Sequence, residues 1–197
     1  MAGKAMHYSD WHIPISQDRL TLVVARKSLQ AIGAQKEDVP FIVKLIENPE
    51  FSISQFFSAK FSLFHGAVNL CAHDCIHILL GRGLLPEDEA FTIGYTMGST
   101  RQVGLSETRL FELITRYLYP QSYQFSDRDI DIFYSALKLA EAVAGEALDG
   151  VDFSGLLDDT LQQVRLKLGV NVNKIRAYYK VEKTLYPDSK ASRRLLD

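Results

Sequence analysis

Two histidines and an aspartate lie close together in the most apolar stretch of the chain. His73, Asp74 and His77 occur in the order His-Asp-Cys-Ile-His. Because an α-helix turns about 100° per residue, the three side chains fall within one sector of about 100°. Their neighbours in that sector are small or apolar, so a carboxylate placed there needs a partner to offset its desolvation. Two imidazoles and a carboxylate that share a helix face therefore predict a divalent-metal site.

A short turn leads from these histidines to a group of acids. Residues 81–83 read Gly-Arg-Gly and end the first helix, and Pro86 suits the first position of the next one. Acids in a first helical turn are also expected from the helix dipole alone. The residue pattern by itself leaves open which of three acids would reach the ion: Glu87, Asp88 or Glu89. Histidine and carboxylate ligands suit zinc, manganese, iron or cobalt rather than calcium.

The remaining histidines give weaker signals. A single histidine on an apolar helix face is usually a hydrogen-bonded core residue. His65 points away from the His73 sector and is predicted either to be structural or to support a metal ligand without binding the ion. His7 and His12 are near the start of the chain and are predicted to be solvated.

The elements that must position this site are predicted to be helical almost throughout. Apolar residues recur with helical spacing, and no convincing run of alternating strand residues occurs. The prediction is an all-α, single compact domain of about seven or eight helices over residues 16–186. Residues 1–15 are predicted to be an N-terminal extension and 187–197 a basic C-terminal tail. One long helix is predicted from near 52 to 80, a short one over 41–47, and the predicted N-caps are Ser16, Ser106, Ser126 and Ser154.

Composition excludes several classes of protein. The 197 residues carry a net charge of −2, which argues against a nucleic-acid binder. No apolar run of about 18 residues occurs, so a membrane span is not expected. Residues 1–15 lack a signal-peptide pattern, which predicts a cytoplasmic protein. Cys71 and Cys75 are predicted to be reduced, because the i, i+4 distance on a helix is too long for a disulfide. Basic residues concentrate in 171–197, where contact with a membrane is an alternative to a solvated helix.

The spacing His73-Asp74, two residues, His77, eleven residues, Glu89 is the pattern HDxxH-x11-E. It resembles the signature of the coenzyme Q biosynthesis protein 4 family, and the stretch HDCIHILLGRGLLPEDEA resembles that family's motif helix, turn and acidic helix start. The later stretch LDGVDFSGLLDDTLQQVRLKLGV resembles its C-terminal pattern. The resemblance implies an all-α fold and four metal ligands, with zinc the first choice: His73, Asp74, His77 and Glu89.

The resemblance also implies a function. It implies a metal-dependent protein of ubiquinone synthesis that binds a polyprenylated ring precursor beside the metal and acts by oxidative decarboxylation at ring C1. It further implies association with other quinone-synthesis enzymes and peripheral contact with the inner membrane; a homodimer is also allowed. Small residues recurring every four positions along 90–98 predict either close helix packing or a lipid groove. The residues proposed for that groove are Gly66, Leu70, Phe91, Gly94, Tyr95 and Gly98.

Three other functions are weighed against this one. A non-catalytic prenyl-lipid carrier or scaffold could use the metal structurally. A phosphohydrolase of the HD type would use the His73-Asp74 pair, but His77 would then be surplus. A metallopeptidase of the HExxH type places a glutamate between its histidines, where this chain has Asp74, whose shorter side chain reaches a water molecule poorly.

Overall fold

A computed structural model describes residues 7–33 and 64–196 of the chain. These residues contain eight α-helices and no strand, which confirms the all-α prediction. One buried hydrophobic cluster joins the helices. The predicted helix over 41–47 lies outside the described residues, as does the predicted start of the long helix near 52. The helices are α1 Leu22–Gly33, α2 Leu70–Leu80, α3 Pro86–Ser99, α4 Leu105–Leu113, α5 Asp127–Val143, α6 Leu161–Lys167, α7 Val172–Leu185 and α8 Lys190–Arg193.

Helix α2 begins later than predicted. Residues 64–69 are not helical, and Gly66 has a φ of +84°, a left-handed conformation that a helix cannot contain. Asn69 caps the helix by accepting a hydrogen bond from the Ala72 N–H at 2.9 Å. The helix ends as predicted at Gly81, whose φ of +69° is the usual left-handed stop.

Three further serines, Ser106, Ser126 and Ser154, are predicted to be helix N-caps, and one of them is an N-cap in the structure. Ser126 caps α5 and forms a reciprocal capping box with Asp129, as predicted. Ser106 is not a cap, because α4 already begins at Leu105. Ser154 lies in a short 3-10 helix, and Thr160 caps the α-helix that follows. The helical segments were therefore predictable, whereas the capping residue was predicted correctly for one helix of the three.

Helices α3 and α5 pack against each other through glycines. A Cβ added at Gly94 would collide with the backbone carbonyl of Phe133, and one added at Gly98 with that of Leu137. The small-residue face of α3 is therefore filled by α5, and it does not form an open lipid groove. The structure shows close packing of α3 on α5, which is the other interpretation of that pattern.

Both ends of the described chain belong to the core. Trp11 and Ile15 are 2 % and 0 % exposed, so the predicted N-terminal extension packs on the core over residues 7–15. Leu195 is 0 % exposed, so the predicted basic C-terminal tail packs there too. Ser16 does not begin a helix, because the chain first joins the segment before α6, where the Leu22 N–H donates to the Asp159 carbonyl at 3.0 Å. Both segments therefore contact the helical core, and the domain boundaries at 16 and 186 stay predictions.

The structure also bears on the predictions for a membrane span and for the two cysteines. No helix within 7–33 and 64–196 is long and apolar enough to cross a membrane. Cys71 is exposed, Cys75 is buried, and both are free thiols. Burial raises the pKa of the Cys75 thiol to about 12, so it remains protonated and unreactive near neutral pH.

Candidate metal centre

Three of the four predicted ligands lie together between α2 and α3. One nitrogen each from His73 and His77 and one carboxylate oxygen of Glu89 lie within 4.8 Å of one another. Glu89 Oε2 is 3.2 Å from His77 Nε2 and 3.5 Å from His73 Nε2. The two imidazole rings meet edge to face, with centroids 4.6 Å apart. The three groups therefore converge on one point.

Helix geometry and a tight connection produce this convergence. His73 and His77 are four residues apart on α2 and so lie on the same face. Residues 81–85 then reverse the chain, and Pro86 begins α3. Asp88 reinforces the start of α3 by accepting a hydrogen bond from the Leu85 N–H at 3.0 Å. Glu89 is thereby held in the first turn of α3, facing the histidines.

The acids of that first turn point in different directions. Glu87 accepts a hydrogen bond from the Ser189 hydroxyl at 2.9 Å. Asp88 is 0 % exposed and pairs with Arg194 at 2.5 Å. Glu89 alone joins the histidine cluster among the described residues. The structure thus selects one acid where the sequence pattern by itself allowed three.

Asp74 does not belong to the three-residue cluster. It is half-buried on α2, one residue beyond His73, and so lies on a neighbouring part of the helix surface. Its assignment as a fourth ligand stays a prediction.

The other histidines lie elsewhere: His65 Nδ1 pairs with Glu107 at 3.0 Å, and His12 Nε2 bonds the Gly81 carbonyl at 3.0 Å. His12 is half-buried and is therefore not the solvated residue expected from its position.

The cluster is electrostatically coupled. Burial disfavours the charged form of His77, which is 1 % exposed, but the charge and hydrogen bond of Glu89 outweigh burial, and the net effect raises the pKa of His77. An imidazolium donates from both ring nitrogens, here to Glu89 through Nε2 and toward Thr92 Oγ1 through Nδ1 at 3.3 Å. A metal ion at this point would take the place of the proton shared with Glu89.

The donor set fits a transition metal. Two imidazole nitrogens and one carboxylate oxygen are the ligands that catalytic zinc sites use, with a further position left for water or substrate. The His73 and Glu89 side chains are 15 % and 23 % exposed, so the cluster is not sealed from outside. Imidazole and carboxylate donors do not by themselves select zinc over manganese, iron or cobalt.

A small apolar cavity begins at His73. Its volume of about 30 Å³ is room for one or two water molecules. Gly66 is the one predicted groove residue that lines it. Its wall consists of Phe64, His65, Gly66, Ala67, Val68, His73, Ile93, Thr96, Met97 and Phe111.

The other predicted groove residues do not line this cavity. Leu70 is 68 % exposed. Phe91 and Tyr95 are fully buried and stack on each other with centroids 5.9 Å apart. Burial raises the pKa of the Tyr95 hydroxyl to about 12. These aromatic residues belong to the helix core.

Thr92 is a site residue that the sequence did not indicate, because a helical threonine has no ligand signature. It is 0 % exposed and lies three residues beyond Glu89 on the same face of α3. When a metal occupies Nε2 of His77, the neutral ring must keep its proton on Nδ1, which then donates to Thr92 Oγ1. Such a hydrogen bond fixes the tautomer and ring orientation of a metal-binding histidine.

Replacing Thr92 with valine is expected to weaken Zn²⁺ binding by about tenfold, the lower end of the usual range for a partner of a ligating histidine. Thr92→Ser keeps the hydroxyl and should retain most of the affinity. Thr96→Val is the matched control, because the Thr96 hydroxyl bonds the Thr92 carbonyl one turn further along α3. Competition with a chromophoric chelator measures the affinity, and equal affinity of Thr92→Val and wild type would contradict the role given to the hydroxyl.

Comparison of the chain with protein-family models, with curated proteins and with solved structures finds no match in any of the three.

Proposed function

We propose that this protein binds a divalent metal ion, with zinc the first choice, through His73, His77 and Glu89. The convergence of these three donors within 4.8 Å is the observation on which the proposal rests. The resemblance of the HDxxH-x11-E pattern adds Asp74 as a fourth ligand. Because the site is partly open, it suits an ion that also contacts a small molecule better than a closed structural ion.

We further propose that the small molecule is a polyprenylated ring precursor of ubiquinone. The resemblance supplies the substrate class, and the apolar cavity at His73 supports it, because a ring bound at the metal would have its apolar part directed toward Phe64 and Phe111. A bound metal would act as a Lewis acid on the ring oxygens. The cavity would have to widen to admit a prenyl chain, since its volume of about 30 Å³ is room for only one or two water molecules.

Different residues would have different roles in this function. His73, His77 and Glu89 would hold the ion, and Thr92 orients His77. The apolar side chains of the cavity wall would face the apolar part of a ligand bound at the ion. Oxidative decarboxylation at ring C1 is the reaction that the resemblance adds. Association with other quinone-synthesis enzymes and docking on the inner membrane are further parts of the proposal.

Metal analysis of the purified protein tests the site. We expect about one metal ion per chain in the wild type and less than a tenth of that in the His73→Ala/His77→Ala variant, because both imidazole ligands are lost. Glu89→Gln should lose most of the metal, and Asp74→Asn tests the fourth ligand separately. His65→Ala is the matched control, since His65 pairs with Glu107 outside the cluster. Unchanged metal content in the double variant would refute the proposal.

Ligand binding tests the substrate class. We expect a short-chain prenylated phenolic acid to bind the metal-loaded protein more tightly than the same acid without its prenyl group. Chelation of the metal should weaken binding of both compounds. Equal binding with and without metal would leave an apolar lipid carrier as the better description, and no binding in either form would refute the substrate class.

A further inference from the structure

We propose that the C-terminal segment, residues 172–196, fixes the geometry of the metal site. The inference rests on the proposed metal-binding function. The site is divided between two helices, with two ligands on α2 and one on α3. The distance between them therefore depends on the connection, residues 81–85. The C-terminal segment contacts the end of α2, the connection and the start of α3.

The first contact is at the end of α2. The Tyr179 hydroxyl donates a hydrogen bond of 2.6 Å to the carbonyl of Leu80, the last residue of α2. Tyr179 lies on α7 and is 0 % exposed, so water does not compete for this carbonyl. The carbonyl at a helix end has no partner within the helix, and here α7 supplies one.

The second contact is in the connection itself. Arg82 is 0 % exposed and lies between two aromatic rings, 3.9 Å from the Phe91 centroid and 4.4 Å from that of Tyr179. Glu182 binds its guanidinium through two hydrogen bonds of 2.9 and 2.6 Å. Such a paired and stacked guanidinium has little freedom to move. Glu182 of α7 therefore fixes the position of the connection.

The third contact is next to the metal ligand. Arg194 donates a 2.5 Å hydrogen bond to Oδ2 of Asp88, and Asp88 immediately precedes the proposed ligand Glu89. The same Asp88 oxygen accepts the Leu85 N–H at 3.0 Å. Arg194 also donates to the Ser9 carbonyl at 2.9 Å, which anchors its guanidinium from the other side. The direction in which Glu89 leaves the first turn of α3 is thus set by a residue more than a hundred positions later in the chain.

Tyr179, Glu182 and Arg194 are therefore positioning residues for a site that they do not touch. Metal ions are sensitive to ligand placement, and groups behind the ligands typically change affinity by 10–100-fold. A loosened connection would leave the two histidines on α2 unchanged and allow Glu89 to move away from them.

The test is Zn²⁺ affinity of the Arg194→Met variant, measured on the full chain by competition with a chromophoric chelator. Methionine keeps much of the apolar stem and removes the bond to Asp88. We expect affinity to fall by about tenfold. The visible absorption band of the Co²⁺-loaded protein should also change, because it reports ligand geometry. Arg194→Lys keeps the charge and should recover part of the affinity.

Lys190→Met is the matched control. Lys190 is a basic residue of the same segment, but its amine bonds the exposed Asp10 at 2.5 Å and the Ser9 hydroxyl at 3.0 Å, whereas Arg194 bonds Asp88. Its Zn²⁺ affinity and Co²⁺ spectrum should equal those of the wild type. If Arg194 only stabilised the fold, Arg194→Met would lower the thermal stability and leave the Zn²⁺ affinity of the folded protein unchanged.

If Arg194→Met does not fold, the Asp88→Asn variant tests the same positioning role. Asparagine can still accept the Leu85 N–H, but it loses the ionic bond to Arg194, so a weaker Zn²⁺ affinity is again expected. Wild-type affinity in the folded variants would overturn the inference and leave the proposed metal site intact. Failure of the wild type itself to bind Zn²⁺ would overturn the proposed function together with this inference.

Discussion

Replacing Glu182 with leucine is expected to lower the free energy of unfolding by about 3–5 kcal/mol, the usual loss when one partner of a buried ion pair is removed. Glu182 is 1 % exposed and accepts two hydrogen bonds from Arg82, which is itself 0 % exposed. Without the carboxylate, Asp88 at 3.9 Å is the acidic neighbour that the guanidinium keeps within the described part of the chain. Burial disfavours the charged form of Arg82, but Glu182 outweighs that effect and raises the pKa of Arg82, so this residue stays charged at all ordinary pH values.

Urea unfolding followed by circular dichroism measures this loss. The double variant Arg82→Met/Glu182→Leu should recover most of the stability, because apolar residues of similar size often replace a buried pair at little cost. Lys167→Leu is the surface control. Lys167 pairs with Asp159 at 2.6 Å with both side chains partly exposed, and such pairs contribute about 0–1 kcal/mol. A loss below about 1 kcal/mol in Glu182→Leu would contradict the buried-pair assignment.

Local features of this protein were predictable because they depend on short stretches of chain. His73 and His77 share a face by helix periodicity, and Glu89 reaches them because only a five-residue connection and one partial helical turn intervene. Gly81 and Pro86 mark the two ends of that connection by backbone chemistry alone. The all-α fold follows from the same periodicity of apolar residues.

Features that depend on distant partners were not predictable. Arg82 in a glycine-flanked turn is an ordinary surface pattern, and nothing in the sequence indicates that Glu182, a hundred residues later, buries it. The start of α2 at Leu70 depends on the backbone of Gly66, whose added Cβ would lie 2.7 Å from Met97 Cα of another helix. Tertiary contacts of this kind override local helix propensity.

The small-residue pattern along α3 illustrates the same limit. Glycine at every fourth position allows either a close helix contact or an open groove, and the choice depends on what packs there. Helix α5 occupies the face, with Phe133 and Leu137 carbonyls directly against Gly94 and Gly98. The lipid-facing surface, if the proposed ligand binds, is therefore the cavity at His73 rather than the α3 glycine face.

Replacing Gly98 with valine is expected to lower the free energy of unfolding by about 3 kcal/mol, the upper part of the usual range for overpacking. The obstacle is the backbone carbonyl of Leu137, which cannot rotate away as a side chain would, so α3 and α5 must separate. Helix propensity does not explain such a loss, because valine is slightly better than glycine in a helix interior.

Gly155→Val separates this effect from a general intolerance of valine. A Cβ added at Gly155 meets nothing within 4 Å, so this variant should stay within about 0.5 kcal/mol of the wild type in urea unfolding. If Gly98→Val were as stable as Gly155→Val, the close α3–α5 contact would be wrong and a groove along α3 would again be open to a ligand. Because Gly94 lies one turn earlier against Phe133, Gly94→Val should show a similar loss and would confirm that the whole glycine face packs on α5.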